Sequence, residues 1–389
     1  MKKSLVITIG VILILIVLGI WGYLLFFGTP SNSNDIFANL GFGNKVVEPS
    51  DTLATPPENT TTQIDVRKNP LQQLTTKPVA GFGFVGSSSD LIRYVERGTG
   101  HIFEINLTSG IEKQISLTTI PKVVEAVFSD SGTSVALITE NNYTRDIVAG
   151  VIDEVANSVN FISLPEHSFE PAFILDTVLH FAVTAENGTT GYELDITTAT
   201  PVKIFTILLR DVAIVWSADE THVYNRPTTL YKGSLYSVDS VLTTQTSGEY
   251  GFVGGVTDTH YLGSAIVDDT LDSYALDRIS KERIPLPITY IPEKCIPTKL
   301  TASILWCASP FESPNESFIE DWYKGIVQSP DLLWLVDVEL GEAELHSIFL
   351  EESGRLIDVD RISIDVFGLA PIFRNKVGNT LWIYDTRIK

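Results

Sequence analysis

The chain has 389 residues, 44% of them hydrophobic, with 19 prolines and 27 glycines, so it can bury a large core and make many turns. A formal charge of −21 excludes nucleic acid as a natural partner, since an acidic surface repels phosphates and gains nothing from counterion release. Two cysteines without a Cys-x-x-Cys motif, and six histidines scattered singly, argue against a redox or metal centre, and no cofactor is expected.

Residues 5–27 form 23 consecutive residues without a charge, long enough to cross ~30 Å of hydrocarbon as a helix. Lys2 and Lys3 precede them and no Lys or Arg follows until Lys45, which places the N-terminus in the cytoplasm and the rest outside. The stretch exceeds the usual core of a cleaved signal peptide, so a retained single-pass anchor is expected over 1–27. From 28 to 69 the composition shifts to Ser, Asn, Thr, Pro and Gly, which reads as a flexible extracytoplasmic tether. A short apolar island at 36–42 interrupts the tether and is given no structural part.

From residue 70 to the end, short extended runs alternate with turn signals, and one motif recurs. An apolar or aromatic run ends in Asp or Asn at 102–106, 149–153, 191–195, 235–239, 273–277, 332–337 and 381–385. The terminal residues lie 47, 42, 44, 38, 60 and 48 positions apart, a period that belongs to propellers and arrays. Parsed as four strands per repeat, a to d, the motif is strand c, and its Asx side chain suits the reversal that follows. Strand a takes segments with small residues such as 83–86 and 251–254, where blades crowd the axis. The string 81–86 matches GxGxxG, yet no helix follows it, so it is read as a strand entering the ring. The chain ends just after the seventh strand c, and 70–76 resembles an orphan strand d. Pairing the two removes both open edges. The expected fold is therefore all-β: a seven-bladed propeller over 70–389 with four-stranded antiparallel blades, closed by an N-terminal strand.

The repeats resemble those of TolB-type propellers, in which strand a runs into an aromatic-Ser-x-Asp-Gly turn. Phe128-Ser129-Asp130-Ser131-Gly132 and Trp216-Ser217-Ala218-Asp219-Glu220 are the nearest copies, the second with Glu where Gly is usual. The Trp-Asp pair of WD repeats is absent from the chain, and seven blades depart from the six usual in the TolB type. The resemblance spans about 70–389 and implies binding more than catalysis, because TolB itself is a periplasmic docking protein.

The 60-residue interval before Asp337 is the one large irregularity. Cys295 and Cys307 fall on strands a and b of blade six, within disulfide range if adjacent antiparallel strands pair them, and an extracytoplasmic pair is expected to oxidise. The segment 309–330 then lies between strands b and c. Phe311, Trp322, Tyr323 and Lys324 make it a candidate binding loop, since loops on rigid scaffolds carry recognition and aromatics dominate interfaces. The other reading is that the loop folds back and its aromatics cover the blade. The acidic clusters lack an EF-hand arrangement, and no Gly-x-Ser-x-Gly elbow exists. The expected function is a membrane-anchored extracytoplasmic scaffold for a protein or cell-envelope polymer. The alternatives are a hydrolase or lyase using the channel, or a sensor of a small ligand or ion. The groups that line the channel discriminate among these readings.

Overall fold

The computed structural model describes residues 61–388, apart from 65–67, 142, 143 and 239–241. The expected membrane helix (5–27), the apolar island (36–42) and Asp239 lie outside the described residues. Seven antiparallel sheets follow one another along the chain, over 79–116, 123–163, 168–207, 212–244, 249–285, 295–348 and 359–384. Each has strands a to d in sequential order, and the seventh takes its strand d from Leu71–Gln73. The architecture is a seven-bladed β-propeller, as the spacing of the Asx motif predicts.

Why this sequence folds so is visible at the strand ends. The side-chain amide oxygen of Asn106 accepts the backbone N–H groups of Thr108 and Ser109 at 3.0 and 2.9 Å. Asp153, Asp277 and Asp337 each accept the N–H groups two and three residues on in the same way. These bonds span only two or three residues, so the c–d turn is closed by local contacts. Backbone donors of this kind hold the carboxyls of Asp277 and of Asp195, which accepts the N–H of Thr197 at 2.9 Å, below the usual range.

The hydrophobic core is divided into seven clusters, one between each pair of neighbouring blades. Ile92, Tyr94 and Ile105 of blade 1 meet Ile372 and Ile383 of blade 7, for example, and Leu179 and Phe181 of blade 3 meet Ala136 and Ile138 of blade 2. Blades are thus buried on both faces, which explains strands read as continuous apolar runs. The ring closes where Leu71, Gln72 and Gln73 pair with Tyr384, Ile383 and Trp382. Gly81 shows how tightly the inner strands approach, because a Cβ there would stand 2.0 Å from the carbonyl oxygen of Ala126 in the next blade.

Two blades depart from the expected four strands. Thr61–Gln63 adds a fifth to the outer edge of blade 1, pairing with 111–113, so order begins inside the segment expected as tether. Lys232–Gly233, in the b–c loop of blade 4, pairs with the start of strand a in blade 5. A free edge strand recruits any backbone within reach, which no side-chain period announces. Two short helices interrupt the pattern, α1 (Phe318–Tyr323) in the blade 6 insert and α2 (Phe349–Ser353) between blades 6 and 7.

Candidate functional site: the axial cavity and its roof

Strand a lines the axis, at Val79–Phe84, Val123–Phe128, Ser168–Phe173, Val212–Val215, Glu249–Val256, Cys295–Pro297 and Val359–Ser363. In blades 1, 2, 3, 5 and 7 its register against strand b shifts near the start, where an extra residue is bulged. A bulge breaks the period-2 alternation and re-aims side chains. Here it leaves Glu125, Glu170, Asp360 and Arg361 on the wall of an axial cavity of about 610 Å³, to which blades 2 to 7 all contribute.

The cavity is ionic. Arg145 and Arg361 flank the two oxygens of Glu125 at 3.5 and 3.4 Å. Arg226 donates to Glu170 at 3.2 Å. Arg374, which is buried, takes Asp360 with two nitrogens at 2.9 and 2.7 Å and spends its remaining nitrogen on the carbonyls of Val79 and Ala80. Glu293 has no ion pair among the described residues, and the hydroxyls of Tyr224 and Tyr323 both donate to its Oε1.

Glu170 stands apart from the other carboxylates. Its backbone is left-handed, with φ of 49°, a conformation costly for a residue with a Cβ. The indole of Trp216 donates to its carbonyl oxygen at 2.6 Å and helps to hold it there. Its side chain is 35% exposed and lines the cavity, where desolvation raises its pKa; Arg226 and Arg361 oppose that rise, and Glu125 and Glu293 reinforce it. Burial and the adjacent Glu293 likewise push the phenols of Tyr224 and Tyr323 up, which keeps them as donors.

α1 forms the roof. Ser317 bonds Asp321 at 2.8 Å at its start, and Gly325, with φ of 72°, ends it in the left-handed conformation that glycine adopts freely. Phe318, Ile319 and Trp322 enter the core between blades 4 and 5, and Glu320 accepts the N–H of Thr229 from blade 4 at 3.2 Å. Trp322 donates its indole N–H to Asp358, at the entry to blade 7, at 2.9 Å. The ammonium of Lys376 lies 3.7 Å from the centroid of its ring and bonds its carbonyl oxygen. One short helix of blade 6 thereby reaches three other blades.

Behind Trp322 lies a fully buried cluster. Lys294 donates to Asp331 at 2.8 Å and to Asp358 at 2.8 Å, and all three side chains have no exposure. Asp331 also accepts the N–H of Val359 at 2.7 Å. Burial pushes the Asp331 carboxyl up to about 6, with Lys294 opposing and Asp358 reinforcing the rise. Burial pulls Lys294 down, but its two carboxylates outweigh that pull and hold it above the usual lysine range.

The residues singled out from sequence separate into two groups. Cys295, Trp322 and Tyr323 are on the cavity wall. Cys295 is disulfide-bonded to Cys307, its cross-strand partner, with the Cα atoms 4.1 Å apart. Phe311 and Lys324 are exposed outside the cavity, Lys324 in an ion pair with Glu320 at 2.6 Å. Trp322 is buried, so of the loop's aromatics it is Tyr323 and Phe311 that reach solvent. The channel charges escaped the sequence reading. A sign of them exists in an acid inside a largely apolar strand a, at Val124-Glu125-Ala126 and Phe169-Glu170-Pro171, and in the Asp360-Arg361 pair inside strand a of blade 7. Among the described residues no three His, Cys, Asp or Glu side chains gather as a metal site, and no helix is long and apolar enough to cross a membrane.

No family model matches the chain, and no curated protein matches it either. Solved structures share its fold at low identity. An oligogalacturonate lyase in complex with manganese aligns over 84% of this chain and 96% of its own, at 10% identity and a TM-score of 0.58. The propeller domain of the Trilobed protease from Pyrococcus furiosus aligns over 79% and 95%, at 12% identity and a TM-score of 0.53. That domain has an open velcro topology, whereas the ring here is closed by 71–73. A chain of the mitotic checkpoint complex aligns over 88% and 97%, at 9% identity and a TM-score of 0.54. Lyase, protease and assembly chains thus share this scaffold, and function follows from the site it carries.

Proposed function

We propose that the protein is a membrane-tethered binding propeller of the extracytoplasmic side, which engages a protein or cell-envelope polymer at the face where the axial cavity opens. The observation that carries this reading is the roofed cavity of about 610 Å³, walled by six blades, in which every carboxylate of the lining is met by an arginine or a tyrosine hydroxyl. Mutual pairing of the acids and bases favours recognition over acid–base chemistry, which needs a group left free to give or take a proton. The uncharged stretch 5–27 behind Lys2 and Lys3 supports the tether. The Cys295–Cys307 bridge supports an oxidising compartment.

The test uses the full chain in detergent, immobilised and exposed to envelope extract at moderate salt. A component retained by the wild type and lost from Tyr323→Ala, with the melting temperature unchanged, is the expected result; equal retention by both proteins counts against the cavity. The strained backbone and raised pKa of Glu170 favour one second reading, a hydrolase or lyase acting on a glycan or peptide that enters the channel. Turnover of a glycan or peptide panel, abolished in Glu170→Gln, would replace binding by catalysis.

A further inference from the structure

Three of the cavity cations are only partly used. Arg145 begins strand c of blade 2, Arg226 follows strand b of blade 4, and Arg361 sits at the bulge of strand a in blade 7. Each makes one contact to a carboxylate, at 3.5, 3.2 and 3.4 Å, with side chains 57%, 53% and 45% exposed. A guanidinium carries five N–H donors in a planar fork, so most of the donors on these three residues are unspent on protein among the described residues. Arg374 shows the alternative within the same cavity, with all three nitrogens engaged and the side chain buried. Arg145 and Arg361 meet Glu125 at one oxygen each, and about half of each side chain stays exposed.

The charge balance points the same way. The chain as a whole carries −21, yet the cavity wall sets Arg145, Arg226, Arg361, Arg374 and Lys376 against only Glu125, Glu170, Glu293 and Asp360. A local cationic excess at the axis of so acidic a protein attracts an anion at short range, while the surrounding surface repels a polyanion. That combination suits one oxyanion on an otherwise neutral ligand.

Building on the cavity as the ligand site, we infer that Arg145, Arg226 and Arg361 form an oxyanion-binding site at its mouth, which takes a carboxylate or phosphate group of the ligand. Planar guanidinium groups match both oxyanions in bidentate geometry, which an ammonium cannot do. Three arginines on three different blades fix the position of such a group without a moving part, since Arg145 and Arg361 lie on strands and Arg226 directly follows one.

Calorimetric titration of the full chain in detergent with acetate and with inorganic phosphate, against chloride at matched ionic strength, tests this inference. Saturable binding is expected at a Kd of about 1 mM or tighter for at least one of the two. Preference for acetate identifies a carboxylated ligand, and preference for phosphate a phosphorylated one. Each of Arg145→Gln, Arg226→Gln and Arg361→Gln should weaken binding about tenfold, the loss of one charge-assisted contact. Arg283→Gln, which removes an arginine paired with Glu249 outside the cavity lining, should leave binding unchanged. Absence of saturable binding of both anions, or a triple variant that binds like the wild type, overturns the inference. A parallel titration with neutral oligosaccharides and uncharged peptides separates the two levels. If these bind and Tyr323→Ala removes the binding, the cavity remains the ligand site and only its oxyanion preference falls.

Discussion

Two clusters of opposite charge flank the same helix and could hardly be built more differently. Below Trp322, Lys294 sits between Asp331 and Asp358 with no exposure and contacts of 2.8 Å. At the mouth, Arg145, Arg226 and Arg361 reach Glu125 and Glu170 across 3.2 to 3.5 Å and are about half exposed. In the first cluster water is excluded, so every donor must be met from protein or its desolvation is uncompensated. In the second, the half-exposed donors are open to solvent and need no partner from the protein. The difference assigns the roles: the buried cluster holds the roof over the axis, and the open one keeps capacity for a ligand.

Loss of the buried lysine should give the largest effect. Lys294→Met removes the only cation between two carboxylates that also hold Trp322 and Val359. A buried pair that loses one partner costs about 3–5 kcal/mol, because the charge left behind is uncompensated. Denaturant unfolding should show that loss in the midpoint, and hydrogen exchange should show α1 opening with it. The triple variant Lys294→Met, Asp331→Leu, Asp358→Leu, which removes the charges together, should recover part of the stability while releasing the indole of Trp322 from its acceptor. A single Lys294→Met protein as stable as the wild type would show that the cluster does not hold the roof.

The same cluster should also sharpen the contrast through pH. Burial pushes the Asp331 carboxyl up to about 6 in the folded protein, above an unfolded value of about 3.9. A folded pKa above the unfolded one means that the folded state binds more protons between the two. Stability from this group is therefore fully present below the unfolded pKa and is lost as pH rises through the folded one. One proton changes the free energy by at most about 1.4 kcal/mol per pH unit. The difference between wild-type and Asp331→Asn stability curves should thus slope between roughly pH 4 and 6 and flatten above pH 7. A difference curve that is flat across the acid range would remove Asp331 as the titrating member.

The parts of this architecture that could be read from the chain are those encoded over a few residues. The Asx ending of strand c makes its own turn, as the bonds from Asn106 and Asp337 show, so its recurrence counts blades. The closure by 71–73 followed from a missing last strand, and the Cys295–Cys307 bridge from two strands adjacent in one blade. The site residues were less legible because their placement depends on registers and long separations. Glu125, Glu170 and Asp360 reach the axis through bulges, which shift the alternation that a period-2 reading relies on. Pro171, a residue without a ladder donor inside strand a, was the local warning of one such bulge. Lys294 meets Asp331 and Asp358 across 37 and 64 residues, a distance no motif spans. α1 has six residues, too few for a helical period to stand out from a loop.

The smallest expected effects lie on the open side, and their order is informative. Half-exposed pairs contribute about 0–1 kcal/mol, with screening and side-chain entropy offsetting most of the attraction. Arg145→Gln should change stability by less than about 0.5 kcal/mol, since Glu125 keeps Arg361 as a partner. Arg361→Gln should behave alike, with Arg145 remaining. Arg226→Gln should cost more than either, because Glu170 has no other ion pair among the described residues and its burial already disfavours the charged form. Melting curves of the three variants at low and high salt measure this order, and added salt should compress the differences. Equal and large losses at all three positions would mean that the mouth arginines hold the blades together as Lys294 holds the roof, and the division between a structural cluster and an available one would fail.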